Sequence, residues 1–169
     1  MDSWSLPLAA CAVAIGLLAA LAVLLRRNLH VVTVVGTSME PSLSHGDRVL
    51  VRRCGVTRIA RGDVVVLNAD RPLGWPDGRP IVLGPRKSLI TMIKRVAALP
   101  GETLPDDLRE TPALRTGTVV PPDAVVVLGD NAEHPRNQDS RRHGPFPARW
   151  VTGKVIRRLG AKGSGAVAS

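Results

Sequence analysis

The sequence predicts a mainly β protein with one N-terminal transmembrane helix followed by an antiparallel β domain. Three observations lead to this fold class. An uncharged apolar run lies near the N-terminus. Beyond it, the β-prone runs are short and lie between Gly-Asp turns or Pro-rich stretches, a pattern typical of antiparallel strands. No sustained helical period follows the first run, so the rest of the core is expected to be built from strands.

The apolar run predicts a retained membrane anchor within residues 1–28. Residues 6–25 carry no charge, and about 20 helical residues reach roughly 30 Å, the hydrocarbon thickness of a bilayer. Only Asp2 is charged before the run, and Arg26 and Arg27 follow it directly. A cleaved signal peptide would instead begin with a basic segment. A buried helix of a soluble domain is the alternative interpretation.

The β domain is expected to span residues 29–159, with a flexible tail over residues 160–169. Irregular excursions rich in Pro and Gly are predicted near residues 68–88 and 100–122. Alternating or continuous apolar runs predict six strands, which cover residues 31–35, 48–52, 63–67, 89–97, 125–128 and 151–159.

The composition indicates which partners the chain is built to meet. Its formal net charge is +9, which favours an anionic partner. A lipid bilayer fits better than nucleic acid, because one Phe, three Trp and no Tyr leave few rings for base stacking. Cys11, Cys54 and the four histidines show no metal-ligand spacing. The sequence therefore predicts neither a metal site nor another cofactor.

Ser38 is the first candidate for chemistry. It lies in Gly36-Thr37-Ser38-Met39-Glu40-Pro41, directly after a β-prone run. Gly36 permits a sharp turn and Pro41 fixes its own φ, so this stretch can present Ser38 as a nucleophile. The alternative is a turn serine that bonds its own backbone.

Lys94 is the candidate base. The two-residue period of residues 89–97 places Lys94 on one face with Met92 and Val96, whereas Arg95 points away. Burial disfavours the ammonium ion and lowers the pKa of a lysine, and a neutral lysine can accept a serine proton. The alternative is a lysine that extends from the strand end into water.

A third constellation combines Gly129-Asp130-Asn131 with Asp139-Ser140-Arg141 and Gly144. Asp139 and Arg141 are two residues apart, so they can pair and hold the loop rigid. Taken alone, this stretch is also compatible with an ordinary turn that carries a surface ion pair.

In this order, the three stretches resemble the type I signal peptidase family of membrane-bound serine proteases. Ser38-Met39-Glu40-Pro41 resembles its nucleophile box, Lys94-Arg95-Val96 its general-base box, and the Gly129 to Gly144 stretch its last box. The anchor, the turns at Gly46-Asp47 and Gly62-Asp63, and Pro100-Gly101-Glu102 also fit the family layout. The resemblance covers about residues 7–158.

The resemblance implies a Ser-Lys dyad in which Lys94 takes and returns the proton of Ser38, and the backbone N–H of Ser38 serves as an oxyanion donor. It implies that the partners are exported precursors cleaved after small residues, near the bilayer. It also implies an apolar surface at the membrane that includes Met39, although Met39 in the core is an equal interpretation.

The chain departs from the family pattern at two supporting positions. Gly36 lacks the hydroxyl that completes the oxyanion hole in some members, a loss worth about 10² to 10³ in rate unless the Thr37 hydroxyl, another N–H or water substitutes. Asn137 replaces the serine that often precedes Asp139 by two positions and orients the lysine. An amide can still donate and accept hydrogen bonds.

Two further function classes stay open on the sequence. One is a maturation protease dedicated to one or a few precursors. The other is a non-enzymatic basic module that binds the membrane surface. Orientation is a separate question: Arg26 and Arg27 favour a cytoplasmic domain by the positive-inside rule, whereas the resemblance favours an extracytoplasmic one. We follow the resemblance, because the domain has to meet exported proteins.

Overall fold

The computed structural model describes residues 5–69, 90–115, 117–134 and 137–161. Its centre is a seven-stranded antiparallel sheet with the strand order β1-β2-β7-β3-β4-β5-β6. The strands are β1 (Leu29–Thr33), β2 (Asp47–Arg53), β3 (Val64–Ala69), β4 (Ile90–Ala98), β5 (Ala124–Leu128), β6 (Phe146–Pro147) and β7 (Val151–Ala161). The mainly antiparallel β fold predicted from the sequence is confirmed.

Helices are few. The predicted anchor segment forms helix α1 (Ser5–Asn28), which ends with Arg26 and Arg27 in its last turn and leads directly into β1. In the part of the chain that the structure describes, no helix has the length and apolar content needed to cross a bilayer. The membrane anchor stays a prediction. The two other α-helices among the described residues are single turns, α2 (Asp106–Arg109) and α3 (Ser140–His143).

Strand boundaries differ from the sequence prediction at both ends of the domain. The first strand lies over Leu29–Thr33 rather than residues 31–35, because the chain turns out of the sheet toward Gly36, whose φ is +94°. The last strand continues to Ala161, because Asp47 of β2 pairs with it there. Gly160 and Ala161, which the prediction assigned to the flexible tail, therefore belong to β7, and the rest of the predicted tail, residues 162–169, lies outside the described residues. Strand β6 has two residues, too few to show a sequence period.

The two predicted excursions differ. Residues 70–89 lie outside the described residues, and residues 68 and 69 belong to β3. Residues 100–122 are largely irregular, as predicted, but they contain α2 and a 3₁₀ turn at Pro112–Leu114. This connection is anchored by apolar side chains that pack beneath β4 and β5, namely Leu104, Leu108, Leu114 and Val120.

Met39 lies in the core. It is 1% exposed and packs with Val34, Leu43 and Ile93 in an apolar cluster beside β2. The N–H of Leu43 bonds to the Met39 carbonyl at 2.9 Å and folds this turn back onto the sheet. The interpretation of Met39 as a core residue is therefore right, and its predicted role on a membrane-facing surface is wrong. The burial of Met39 fixes the chain next to Ser38.

Candidate active site

Ser38 and Lys94 line the same cavity, which has a volume of about 710 Å³. Its lining includes residues 30–39, which begin in β1 and continue to Met39, and residues 91–94 of β4. The remaining lining side chains come from β3, from β7 and from residues 129–144, here called the last motif. They are Val66, Asn68, Thr152, His134 and Gln138. The sheet thus brings together the two residues that the sequence proposes as nucleophile and base.

The loop over residues 35–41, here called the Ser38 loop, is held through its backbone. The N–H of Asn131 donates to the Ser38 carbonyl at 3.1 Å, and the Asn131 side-chain amide donates to the Thr37 carbonyl at 3.2 Å. Ser38 itself is half-buried. Neither its N–H nor its hydroxyl bonds to another described residue. Both groups are therefore available to a ligand: Ser38 lies in a turn that the Glu40 N–H closes on the Thr37 carbonyl at 3.2 Å, but its hydroxyl makes no bond to the backbone of the described residues.

Lys94 is 3% exposed, so it does not extend into water. Its Nζ donates to Asn137 Oδ1 at 2.6 Å. The pKa of Lys94 is lowered from 10.5 to about 8, chiefly by burial; the carboxylates of Asp139 and Asp130 partly oppose this shift, and the charge of Arg141 contributes to it. A substantial fraction of Lys94 is therefore neutral near pH 8, which is the form that can accept a proton.

Ser38 and Lys94 are linked through two asparagines rather than by a direct hydrogen bond. Across the described residues, no hydrogen bond joins the Ser38 hydroxyl to Lys94 Nζ. Instead, Lys94 contacts Asn137, and Asn137 Nδ2 donates to the Asn131 carbonyl at 2.9 Å. Asn131 in turn bonds to the Ser38 and Thr37 carbonyls. Catalytic hydrogen bonds are often long or unformed without substrate, so this geometry is compatible with a dyad.

Asp139 and Ser140 attach the last motif to the sheet. Asp139 is 1% exposed and accepts from the Gly129 N–H at 3.0 Å and from the Arg141 guanidinium at 2.8 Å. It also caps α3 by accepting from the Arg141 N–H. The fully buried Ser140 hydroxyl accepts from the Val127 N–H of β5 at 2.9 Å. The ion pair predicted between Asp139 and Arg141 is confirmed.

Comparison with known proteins identifies the family of the chain. The family model described as signal peptidase, peptidase S26, matches residues 8–105, which is more than half of the chain and includes both Ser38 and Lys94. The chain belongs to the signal peptidase family. The match ends before Gly129 and does not include the last motif. A search of curated proteins finds no match. Membership in this peptidase family implies a hydrolase that acts on precursor proteins or peptides.

Two glycines of this family member fit sites that a side chain would disturb. A Cβ on Gly129 would lie 2.3 Å from Asn137 Nδ2 and 2.6 Å from the Ser38 carbonyl. The absence of a side chain at Gly129 therefore lets its backbone lie close to both the Ser38 carbonyl and Asn137, the residue that contacts Lys94. Gly144 has a φ of +73°, and a Cβ there would lie 2.9 Å from the Ala113 carbonyl. Gly144 caps the C-terminal end of α3, next to Ala113 of the 100–122 connection.

Sequence reasoning missed the role of Arg95. Its guanidinium forms a two-point ion pair with Asp130, at 2.8 and 2.6 Å, and also donates to the Gly62 carbonyl. A weaker contact reaches the Ser42 hydroxyl at 3.3 Å. Arg95 was expected to point away from Lys94, and it does so while joining three loops around the site. The sequence features that could have indicated this ion pair are an arginine next to Lys94, and Asp130, an aspartate of the last motif for which the sequence suggested no partner.

The histidines around the cavity were also missed, because their positions in the sequence give no signal. His30 and His134 line the cavity. His143 contacts Gln138, another lining residue, through its Nε2. His45 accepts a hydrogen bond from the Gly36 N–H at 3.1 Å. Of the predicted oxyanion candidates, Gly36 thus directs its N–H toward His45, whereas the Ser38 N–H has no partner among the described residues.

Proposed function

We propose that this chain is a membrane-anchored serine endopeptidase that removes signal or leader peptides from exported precursors and cleaves after small residues. Ser38 is the nucleophile and Lys94 the general base. The observation that carries the proposal is the shared cavity of Ser38 and Lys94, in which Lys94 is 3% exposed and has a pKa lowered by burial to about 8. The match to the signal peptidase family supports the same reaction class.

The reaction follows from these two side chains. Neutral Lys94 accepts the hydroxyl proton as Ser38 Oγ attacks the scissile carbonyl carbon. The negative charge then develops on the carbonyl oxygen, where it is stabilised by the Ser38 N–H, which has no hydrogen-bond partner among the described residues. Lys94 returns its proton to the leaving amine as the carbon–nitrogen bond breaks, which leaves an ester on Ser38. Lys94 then takes a proton from a water molecule as the water oxygen attacks the ester carbon, and returns that proton to Ser38 Oγ as the ester bond breaks, which restores both residues.

Substrate binding has to complete the contact between the two residues. Lys94 Nζ is held by Asn137 at 2.6 Å and has no hydrogen bond to Ser38 within the described part of the chain. A lysine side chain is flexible at its end, so we expect Nζ to reach Ser38 Oγ while keeping Asn137 as a second partner. Asn131 and Asn137 keep the two residues at a defined separation until then.

The place of the cavity in the chain supports a site close to the bilayer. Helix α1 ends at Asn28, and the cavity lining begins at His30. A site that begins two residues after an anchoring helix would meet precursors at the membrane surface. We therefore propose that residues 1–28 anchor the chain in a lipid bilayer and that the domain is extracytoplasmic. Protease digestion of intact cells should degrade the domain without permeabilisation, and protection from digestion would refute this orientation.

The proposal is tested with the full chain in lipid vesicles and a precursor that carries an Ala-x-Ala cleavage site. Ser38→Ala and Lys94→Met should each abolish cleavage. Ser44→Ala and Lys154→Met are the matched controls, because neither residue lines the cavity, and both should cleave at close to the unmodified rate. Undiminished cleavage by either site variant would refute the proposed dyad.

A further inference from the structure

The Ser38 loop contains a short span that the sheet does not hold. Up to Val34 the chain is paired, since the Val34 N–H donates to the Asp47 carbonyl at 2.8 Å and the Gly46 N–H donates to the Val34 carbonyl at 2.9 Å. After the span, Asn131 holds the Thr37 and Ser38 carbonyls. Between these points, Val35 is 69% exposed and Gly36 is also exposed.

One hydrogen bond supports this span. The Gly36 N–H donates to His45 Nδ1 at 3.1 Å. Within the described residues, no other hydrogen bond involves Val35 or Gly36. Gly36 adopts a φ of +94°, in the region where glycine is free and other residues are strained. Without a partner for its N–H, the backbone of Gly36 has many other conformations of similar energy. The position of Ser38, two residues later, depends on which one it adopts.

His45 is presented to Gly36 by a rigid turn. The Asp47 carboxylate accepts from the Ser44 N–H at 2.8 Å, and the Asp47 N–H donates to the Ser44 carbonyl at 3.1 Å. Asp47 is 1% exposed and forms an ion pair with Arg158 of β7 at 2.9 Å. The Gly46 and Asp47 contacts to Val34 attach the same turn to the chain just before the unsupported span. The backbone of His45 is therefore fixed relative to the sheet.

We infer that His45 is a positioning residue for the reaction, acting through its hydrogen bond to Gly36 to hold the Ser38 loop in its reactive conformation. This inference rests on the proposed function of Ser38. His45 need not contact the substrate. The bond requires an imidazole whose Nδ1 carries no proton, so the proton of the neutral ring is on Nε2.

Two substitutions of His45 distinguish a hydrogen-bonding role from a space-filling role. His45→Asn places the side-chain oxygen close to the position of Nδ1, so it should keep an acceptor for the Gly36 N–H. His45→Leu fills similar space with no acceptor. A net hydrogen bond of ordinary strength corresponds to an effect of about 3- to 10-fold. We expect His45→Leu to slow acylation of Ser38 by this factor, whereas His45→Asn should react at close to the unmodified rate.

The experiment uses the full chain in detergent micelles, labelled with ¹⁵N-glycine. It measures hydrogen exchange of the Gly36 amide, and separately the pre-steady-state acylation by a p-nitrophenyl ester. His45→Leu should accelerate Gly36 exchange by about 3- to 10-fold and slow acylation at saturating ester, and His45→Asn should restore both. Unchanged Gly36 exchange in His45→Leu, or an Asn variant as impaired as the Leu variant, would overturn the inference.

The two readouts separate this inference from the proposed function. The Gly36 exchange rate decides whether His45 holds the loop, and it does not require any reaction at Ser38. If the unmodified chain were not acylated while Gly36 exchange still responded to His45, the proposed function and the catalytic use of His45 would both fall. The structural contact itself would stand.

Discussion

Lys94 Nζ lies 2.6 Å from Asn137 Oδ1, and the opposite end of the same amide, Nδ2, donates to the Asn131 carbonyl at 2.9 Å. Asn131 holds the Ser38 carbonyl. One amide side chain therefore couples the proposed base to the loop of the proposed nucleophile. A hydroxyl is shorter and has one proton to donate, so a serine at this position would have difficulty making both contacts.

Replacement of Asn137 by Asp tests the Lys94 contact electrostatically. The two side chains have nearly the same shape, but a carboxylate beside Lys94 favours the ammonium form and so raises the pKa of Lys94. We expect cleavage at pH 7 to fall by about 10-fold and the rise of the rate to shift to higher pH. Gln138→Glu adds the same charge to the cavity without the contact to Lys94 and should shift the profile less. Equal shifts in the two variants would argue against a specific role for Asn137.

The pH dependence of the unmodified chain is a second prediction. Burial lowers the pKa of Lys94 to about 8, and the proposed base must be neutral to accept a proton. The acylation rate should therefore be low when Lys94 is charged, rise through about pH 8, and level off above it. The measurement is kcat/KM for a peptide substrate between about pH 6 and 10. A rate that is constant across this range would exclude Lys94 as a titrating base.

Lys94 should also reduce the stability of the fold. The fall in its pKa from 10.5 to about 8 corresponds to a penalty of about 3 kcal/mol on the charged, folded form. Below pH 8 the lysine is charged in both the folded and unfolded states, and the folded state bears the whole penalty. Between about pH 8 and 10.5 the folded lysine is neutral while the unfolded one is still charged, so stability rises with pH across this window, and the penalty is gone above it.

Lys94→Met is expected to increase the free energy of unfolding at pH 7 by about 1 to 3 kcal/mol while abolishing cleavage. The gain is smaller than the whole penalty because Asn137 and Asp139 lose a favourable neighbour. Denaturant unfolding measures the difference. A Lys94→Met variant less stable than the unmodified chain would show that the contacts of Lys94 outweigh the cost of its burial.

Much of the fold could be predicted from the sequence, and the reasons for the failures are local. Strands β2, β3 and β4 were found because their apolar residues alternate or run continuously between turns. The first strand was misplaced because Val34 and Val35 favour strands, yet Gly36 turns the chain away from the sheet. The strand order could not be predicted, since β7 lies between β2 and β3 through pairings that are distant in sequence.

The site was predicted as three motifs, but its connections were not. The two-residue alternation of apolar side chains in residues 89–97 indicated that Lys94 is buried. The two-residue separation of Asp139 and Arg141 indicated their ion pair. The ion pair of Arg95 with Asp130 and the bond of His45 to Gly36 join residues whose proximity follows from the folded loops. The side of the sheet on which Met39 lies was equally undetermined by its sequence.

Gly129→Ala tests the close approach of the last motif to Ser38. The added Cβ would lie 2.3 Å from Asn137 Nδ2 and 2.6 Å from the Ser38 carbonyl, so the two loops must separate. A displacement of about 1 Å at a reacting group can cost about 10²-fold in rate, and we expect a loss of that order in kcat. Gly55→Ala is the control, because its Cβ would meet nothing within 4 Å and its φ is negative. Equal activity of the two variants would contradict this packing.

In the proposed mechanism, Ser38 forms a covalent acyl intermediate with the help of Lys94. The most direct measurement is mass spectrometry of the full chain, quenched with acid during turnover of an Ala-x-Ala peptide ester and then digested. We expect an added acyl mass on the fragment that contains Ser38; this mass should be absent from Ser38→Ala and strongly reduced in Lys94→Met. Turnover with no acyl adduct on Ser38, or with the adduct on another residue, would contradict it.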